Sequence, residues 1–145
     1  MLTKEMDGLI RERVHSYYWD EDINCAETTL KVLSEIFDLP LNPQVIHAAS
    51  GMHGAGKYGV QCGLVEGTLM FIGILGHQAG LEGSEIERLC HDYASSFEGE
   101  FGSLSCRDLR PEGFKPTNPP HLCEELTARS IAFSREFLAH LEGRI

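Results

Sequence analysis

The sequence has no Cys-x-x-Cys pair anywhere, which removes a thioredoxin-like dithiol, an ordinary zinc finger or ribbon, and c-type haem attachment. It has few basic residues: 12 Lys and Arg stand against 22 Asp and Glu, for a formal charge of −10, and no Lys/Arg cluster stands out. Nucleic acid and an anionic membrane surface are therefore not expected partners. No apolar run is long enough for a span, so membrane insertion is not expected. Residues 1–7 are polar and lack a signal-peptide core, which makes the cytoplasm the expected compartment. The Gly-x-x-x-x-Gly-Lys-Ser/Thr phosphate loop is missing. So are strand-like alternation of useful length and internal repeats, and with them the case for a sheet.

What is present is helical periodicity and cysteine. A chain of 145 residues suffices for one domain with a core of its own, spanning 1–145. Apolar positions at Leu2, Met6, Leu9, Ile10, Val14, Tyr17 and Tyr18 predict a first amphipathic helix. Asn24 caps a second over 24–37, with Glu27 completing a capping box, and a short helix follows over 43–49. The glycine-rich stretch 50–59 reads as a loop, a plain connection being favoured over a general anion or ligand loop. It leads into residues 60–76, which are apolar on nearly every face apart from Glu66 and so predict a buried central helix. Gly63 and Gly67 lie four apart on one face of it, where another helix or loop can approach closely. Ser84, with Glu87 as its box partner, caps the next helix, whose stripe runs from Ile86 through Leu89, Cys90, Tyr93, Ala94 and Phe97 to Phe101. Ser105 caps a short turn, with Asp108 at the box position. A loop holding Pro111, Gly113, Pro116, Pro119 and Pro120 precedes a last helix that begins at Pro119 or Pro120 and ends near Leu141. The expected fold is all-α: a single compact bundle of five to six helices around the central one.

Five cysteines is an odd number, which argues against a fully paired disulfide framework. Four of them fall at predicted helix starts: Cys25, Cys62, Cys106 and Cys123. There the orphan N–H groups and the helix dipole favour a thiolate, which is both the nucleophile and the metal ligand. Cys90 sits within an apolar stripe and reads as a small core residue. His53 in the glycine loop and His121 beside Cys123 are candidate bases or ligands, with a solvated loop histidine as the plain alternative. Lys57 and Arg107 lie near candidate cysteines and could favour their anionic forms.

These residues resemble a known family. Cys62-Gly63-Leu64-Val65-Glu66-Gly67 is similar to a Cys-Gly-Ala-x-x-Gly box, with Leu64 where the box has alanine. Asn24-Cys25-Ala26-Glu27 resembles the segment carrying the upstream cysteine. Residues 101–109 resemble the segment of the third cysteine, and Cys123 falls where the fourth is expected. The family is the four-cysteine, redox-active C_GCAxxG_C_C family, and the similarity covers 24–141. It implies an all-helical domain with a redox role and no defined substrate.

The first expectation is a redox protein in which Cys25, Cys62, Cys106 and Cys123 converge. Either the four hold an iron–sulfur cluster for transfer to an unidentified redox partner, or two of them cycle between dithiol and disulfide with Cys62 attacking. Gly63, Gly67 and His53 are the candidate cofactor-contacting residues. A structural zinc on the same four sulfurs is a further alternative. So is a non-catalytic ligand- or partner-binding domain with inert cysteines and no cofactor. The apolar helices are also compatible with a homodimer.

Overall fold

The computed structural model describes residues 3–144, apart from 111, 113, 114, 116 and 119. Leu2 of the first predicted stripe, and Pro111, Gly113, Pro116 and Pro119 of the predicted loop, lie outside the described residues. The described chain is all-α. Its elements are α1 (Lys4–Trp19), α2 (Cys25–Ile36), α3 (Pro43–Ala48), α4 (Gly54–Lys57), α5 (Gly63–Gln78), α6 (Gly83–Phe101), α7 (Cys106–Leu109) and α8 (Glu124–Leu138), followed by a 3-10 segment, Ala139–Arg144. The described residues form no strand, only one isolated antiparallel bridge between Gln61 and Ser105. None of these helices is long and apolar enough to cross a membrane.

Helix starts follow side-chain chemistry. Thr3 Oγ1 accepts from the Met6 N–H at 3.0 Å and opens α1. Asn24 and Glu27 form a reciprocal capping box at the head of α2. Asn42 caps α3, with Pro43 in the first helical position. Two sequence expectations shift. α6 starts one residue before Ser84, because Glu82 and Glu85 make the capping box instead of Ser84 and Glu87. α8 starts at Glu124 rather than at Pro119 or Pro120, because His121 takes a left-handed φ of 57° that a right-handed helix cannot include. At α7, Ser105 occupies the cap position without a side-chain cap bond, and Asp108 instead accepts from Ser103 Oγ at 2.9 Å.

α5 packs mainly on α2, and also on α6 and α8, while α1 lies across α8 and α2. Leu64, Val65, Phe71, Ile72 and Leu75 of α5 are fully buried. Glu66 is half-buried, and burial pushes its carboxyl up while Gln61 pulls the other way. Between α6 and α8, Tyr93, Phe97, Phe101, Phe133 and Phe137 form a continuous ring cluster, with the closest centroids 4.5 Å apart. Tyr93 OH and Ser134 Oγ lie 2.7 Å apart inside it, and Thr68 Oγ1 lies 3.0 Å from Ser134 Oγ. This polar knot joins α5, α6 and α8 without leaving these hydroxyls unpaired.

The glycine pair on α5 does what its spacing predicts. A Cβ on Gly67 would stand 2.8 Å from Ala26 O and 3.2 Å from Ala26 Cα, both backbone atoms of α2. A Cβ on Gly63 would run into Cys25 Sγ and stand 2.8 Å from Met52 O. Glycine at both positions is what lets α2 and the 52–53 loop sit directly on α5.

Candidate functional site

The four predicted cysteines, brought from four separate elements, line one cavity of about 720 Å³. Cys25 is the first residue of α2, Cys62 the cap of α5, Cys106 the first residue of α7 and Cys123 the cap of α8. Cys90 lies elsewhere, half-buried against the edge of the core. None of the five is in a disulfide.

Local backbone pairing explains how two of them meet. The Cys62 N–H donates to Leu104 O at 2.8 Å, and the Cys106 N–H donates to Val60 O at 2.7 Å. The segments leading into α5 and α7 are thus zipped side by side at the Gln61–Ser105 bridge. Ser105 Oγ adds a bond to Gly59 O at 3.1 Å. α4 then closes one wall. Gly54, Ala55, Gly56 and Lys57 all have positive φ, so α4 is a left-handed turn and not the plain flexible loop the glycine content suggests. Cys106 rests on it: a Cβ on Gly54 would lie 3.0 Å from Cys106 Cβ and 3.1 Å from its Sγ.

Cys25 is placed by Asn24. The Asn24 side chain accepts from the Glu27 N–H at 2.8 Å. Its Nδ2 donates to Ala49 O at 3.1 Å and Ser50 O at 2.9 Å, and stands 3.0 Å from His53 Nδ1. One residue thus caps α2 and ties it to the loop carrying His53. Asn24→Ala is expected to cost about 2 kcal/mol, from the lost cap plus two carbonyls left without this donor. Asn24→Asp keeps the cap acceptor but loses the donors, so its urea midpoint should fall between those of wild type and Asn24→Ala.

His53 and His121 both line the cavity. Burial, then Lys57, holds the His53 ring below its usual pKa, so it is neutral at pH 7. His121 stacks on Tyr18 with centroids 4.7 Å apart, meets Trp19 edge-on, and has Nε2 2.9 Å from Asp22 Oδ1. Gly63 and Gly67 stand behind the cavity wall at the α2–α5 contact and are not among its lining residues.

The electrostatics reverse one sequence expectation. Helix starts should favour thiolates, yet all four thiols are pushed up, with burial the largest cause at each. Burial drives Cys25 well above its usual value, and Cys62, Cys123 and Cys106 add to the rise. Cys62 is pushed up to about 12 by burial, although the Leu64 and Val65 N–H groups pull it down. Those N–H groups face the sulfur without closing a cap hydrogen bond. Cys106 and Cys123 are raised by burial and lowered by Arg110. The cation that acts on them is therefore Arg110. Arg107, the sequence candidate, donates to Tyr58 O at 2.9 Å instead.

Among the described residues, no three His, Cys, Asp or Glu side chains are gathered closely enough around one point to hold a metal ion. The donor chemistry around the cavity, four sulfurs in a low-dielectric wall, nonetheless suits a thiophilic group. Sequence reasoning missed Arg110, Tyr18 and Leu109 of the lining. Arg110 carried a usable signal, since it follows Cys106 by four residues and so lies one turn along from it.

No significant match to the chain is found among the curated proteins or among the solved structures. A family model described as "Putative redox-active protein (C_GCAxxG_C_C)" matches residues 23–137, a span that contains all four cavity cysteines, and the chain belongs to that family.

Proposed function

We propose that Cys25, Cys62, Cys106 and Cys123 together form one redox centre, serving as the thiolate ligands of an iron–sulfur cluster. The observation that carries this reading is that four cysteines from four elements line one cavity while the fifth stays out of it. Four thiolates are the usual donor set of such a cluster, which when bound would supply a one-electron carrier.

The chain's own residues have defined parts in this reading. The Leu64 and Val65 N–H groups are donors for an anionic Cys62 sulfur, and Arg110 offsets negative charge at Cys106 and Cys123. Leu64, Leu109, Leu126 and Tyr18 supply wall that limits water. Each thiol gives up its proton on ligation. A reducing compartment such as the cytoplasm would keep the thiols free for this, and an unidentified redox partner would exchange the electron.

One observation favours a second reading. Cys25 Sγ lies against Gly63, the residue that follows Cys62, so Cys25 and Cys62 would be the dithiol pair. Their oxidation to a disulfide would release two protons and pass two electrons to an acceptor.

The test is metal content with an absorption spectrum on anaerobically purified protein. About two irons per chain with visible charge-transfer bands is the expected result. Cys106→Ser should lose both; full retention of iron in that variant would rule out the four-ligand set. Protein without metal whose thiol count falls by two on mild oxidation, with Cys25 and Cys62 linked, would establish the second reading instead.

A further inference from the structure

We infer that Trp19 is a positioning residue for Cys123: it holds the residues on both sides of that cysteine and so sets where the cysteine stands at the cavity. The inference rests on the reading of this cavity as the redox site and names what keeps one of its four sulfurs in place. Trp19 lies outside the family-matched span 23–137, so the shared cysteine pattern does not account for it.

The four cysteines are not held alike. Cys62 and Cys106 sit on segments paired through Leu104 O and Val60 O. Cys25 follows the Asn24 cap, which is tied to Ala49 O and Ser50 O. Cys123 takes the cap position of α8 with no side-chain cap bond. Its segment is a four-residue turn, 121–124, closed by the Glu124 N–H donating to His121 O at 3.1 Å. Cys123 is the third residue of that turn, so fixing the two ends fixes the cysteine between them.

Both ends meet Trp19. The indole Nε1–H donates to Glu124 Oε1 at 2.7 Å, and His15 Nδ1 stands 2.9 Å from the other oxygen of that carboxylate. At the opposite end the His121 ring meets the indole edge-on, with centroids 5.1 Å apart. Tyr18 stacks on the same imidazole, and Asp22 Oδ1 accepts from its Nε2–H, so the ring is gripped from three directions. These contacts leave the His121 side chain only 14% exposed. Trp19 itself is half in solvent and outside the core, so its removal spares the apolar packing. α8 also has a separate tie to α1, between Tyr18 OH and Thr127 Oγ1 at 2.6 Å. Loss of the indole therefore loosens the turn around Cys123 while the two helices stay docked.

The experiment is time-resolved labelling with iodoacetamide under anaerobic, reducing conditions, each cysteine followed by peptide mass spectrometry and iron measured in the same sample. Trp19→Ala should label Cys123 about fivefold faster than wild type, the weight of one hydrogen bond and one ring contact. Cys62 and Cys106, held by their own backbone pairs, should keep their rates. Trp19→Phe keeps a ring beside His121 and loses the indole donor, so its Cys123 rate should fall between the two. Unchanged labelling of Cys123 in Trp19→Ala would overturn the inference. So would an equal acceleration at Cys62, Cys106 and Cys123, which would mark a general loosening of the fold. The two readings fail separately. Selective release of Cys123 in a protein that never carries iron would sink the cluster and leave the positioning role standing. Iron in the wild type with no selective release in Trp19→Ala would do the reverse.

Discussion

Gly63→Ala is expected to destabilise the protein by about 3 kcal/mol and to displace Cys25 from the cavity, although alanine is the better helix former. Helix propensity favours alanine, by up to about 1 kcal/mol in a helix interior and by less at Gly63, the first residue of α5. Contact geometry opposes it. The added methyl would overlap Cys25 Sγ and lie 2.8 Å from Met52 O and 3.1 Å from His53 Cα. Two of those three atoms belong to backbone, which cannot swing aside as the tip of a side chain can. Overpacking of a tight site costs about 1–3 kcal/mol, occasionally more, and the upper part of that range applies where backbone must yield. The same helix supplies the control: a Cβ on Gly73 meets nothing within 4 Å. Gly73→Ala should therefore raise stability by up to about 1 kcal/mol. Urea unfolding of both variants decides the matter. Equal gains would show that Gly63 is not packed as described. A loss at Gly63 with unchanged reactivity of Cys25 toward a thiol reagent would show that the clash is relieved without moving the sulfur.

That contrast marks how far the sequence could be read. The four-residue spacing of Gly63 and Gly67 announced a face for close approach, and α2 occupies it with the Ala26 carbonyl. The capping box at Asn24 and the apolar stripes gave the long helices, because those signals are local. Cysteines at four helix starts also proved to share one cavity. What stayed hidden depends on three-dimensional placement. The left-handed turn at 54–57 looked like mere glycine flexibility, since nothing in Ala55 or Lys57 advertises a positive φ. The start of α8 was misplaced because the backbone at His121, and not the prolines before it, sets the boundary. Sequence reasoning picked Arg107 and missed Arg110: Arg107 turns to Tyr58 O, while Arg110 lowers the thiols of Cys106 and Cys123.

The sign of the thiol pKa shifts was also beyond the sequence, and it leads to the second large expected effect: alkaline destabilisation of the reduced, metal-free protein. In the unfolded chain the Cys62 thiol loses its proton near pH 9, and in the folded protein it holds it until about pH 12. Below pH 9 both states keep the proton and stability is at its full value. Above pH 9 the unfolded state releases a proton that the folded state retains, so stability falls with rising pH. The slope is about 1.4 kcal/mol per pH unit for each such thiol, and for Cys62 alone the loss approaches about 4 kcal/mol by pH 12. Cys25, Cys106 and Cys123 are shifted in the same direction and steepen the decline. Urea unfolding at closely spaced pH values between about 7 and 10.5 measures that slope as a proton difference between the two states. Cys62→Ser should reduce it by close to one proton at the alkaline end. A flat profile above pH 9, or alkylation of native Cys62 near pH 7.5 as fast as that of free cysteine, would mean that helix N–H groups outweigh burial after all. The expected outcome gives those groups a different part. The Leu64 and Val65 N–H groups cannot hold an isolated thiolate against burial. On the proposed cluster reading they would stabilise the Cys62 sulfur once the bound group takes the proton's place.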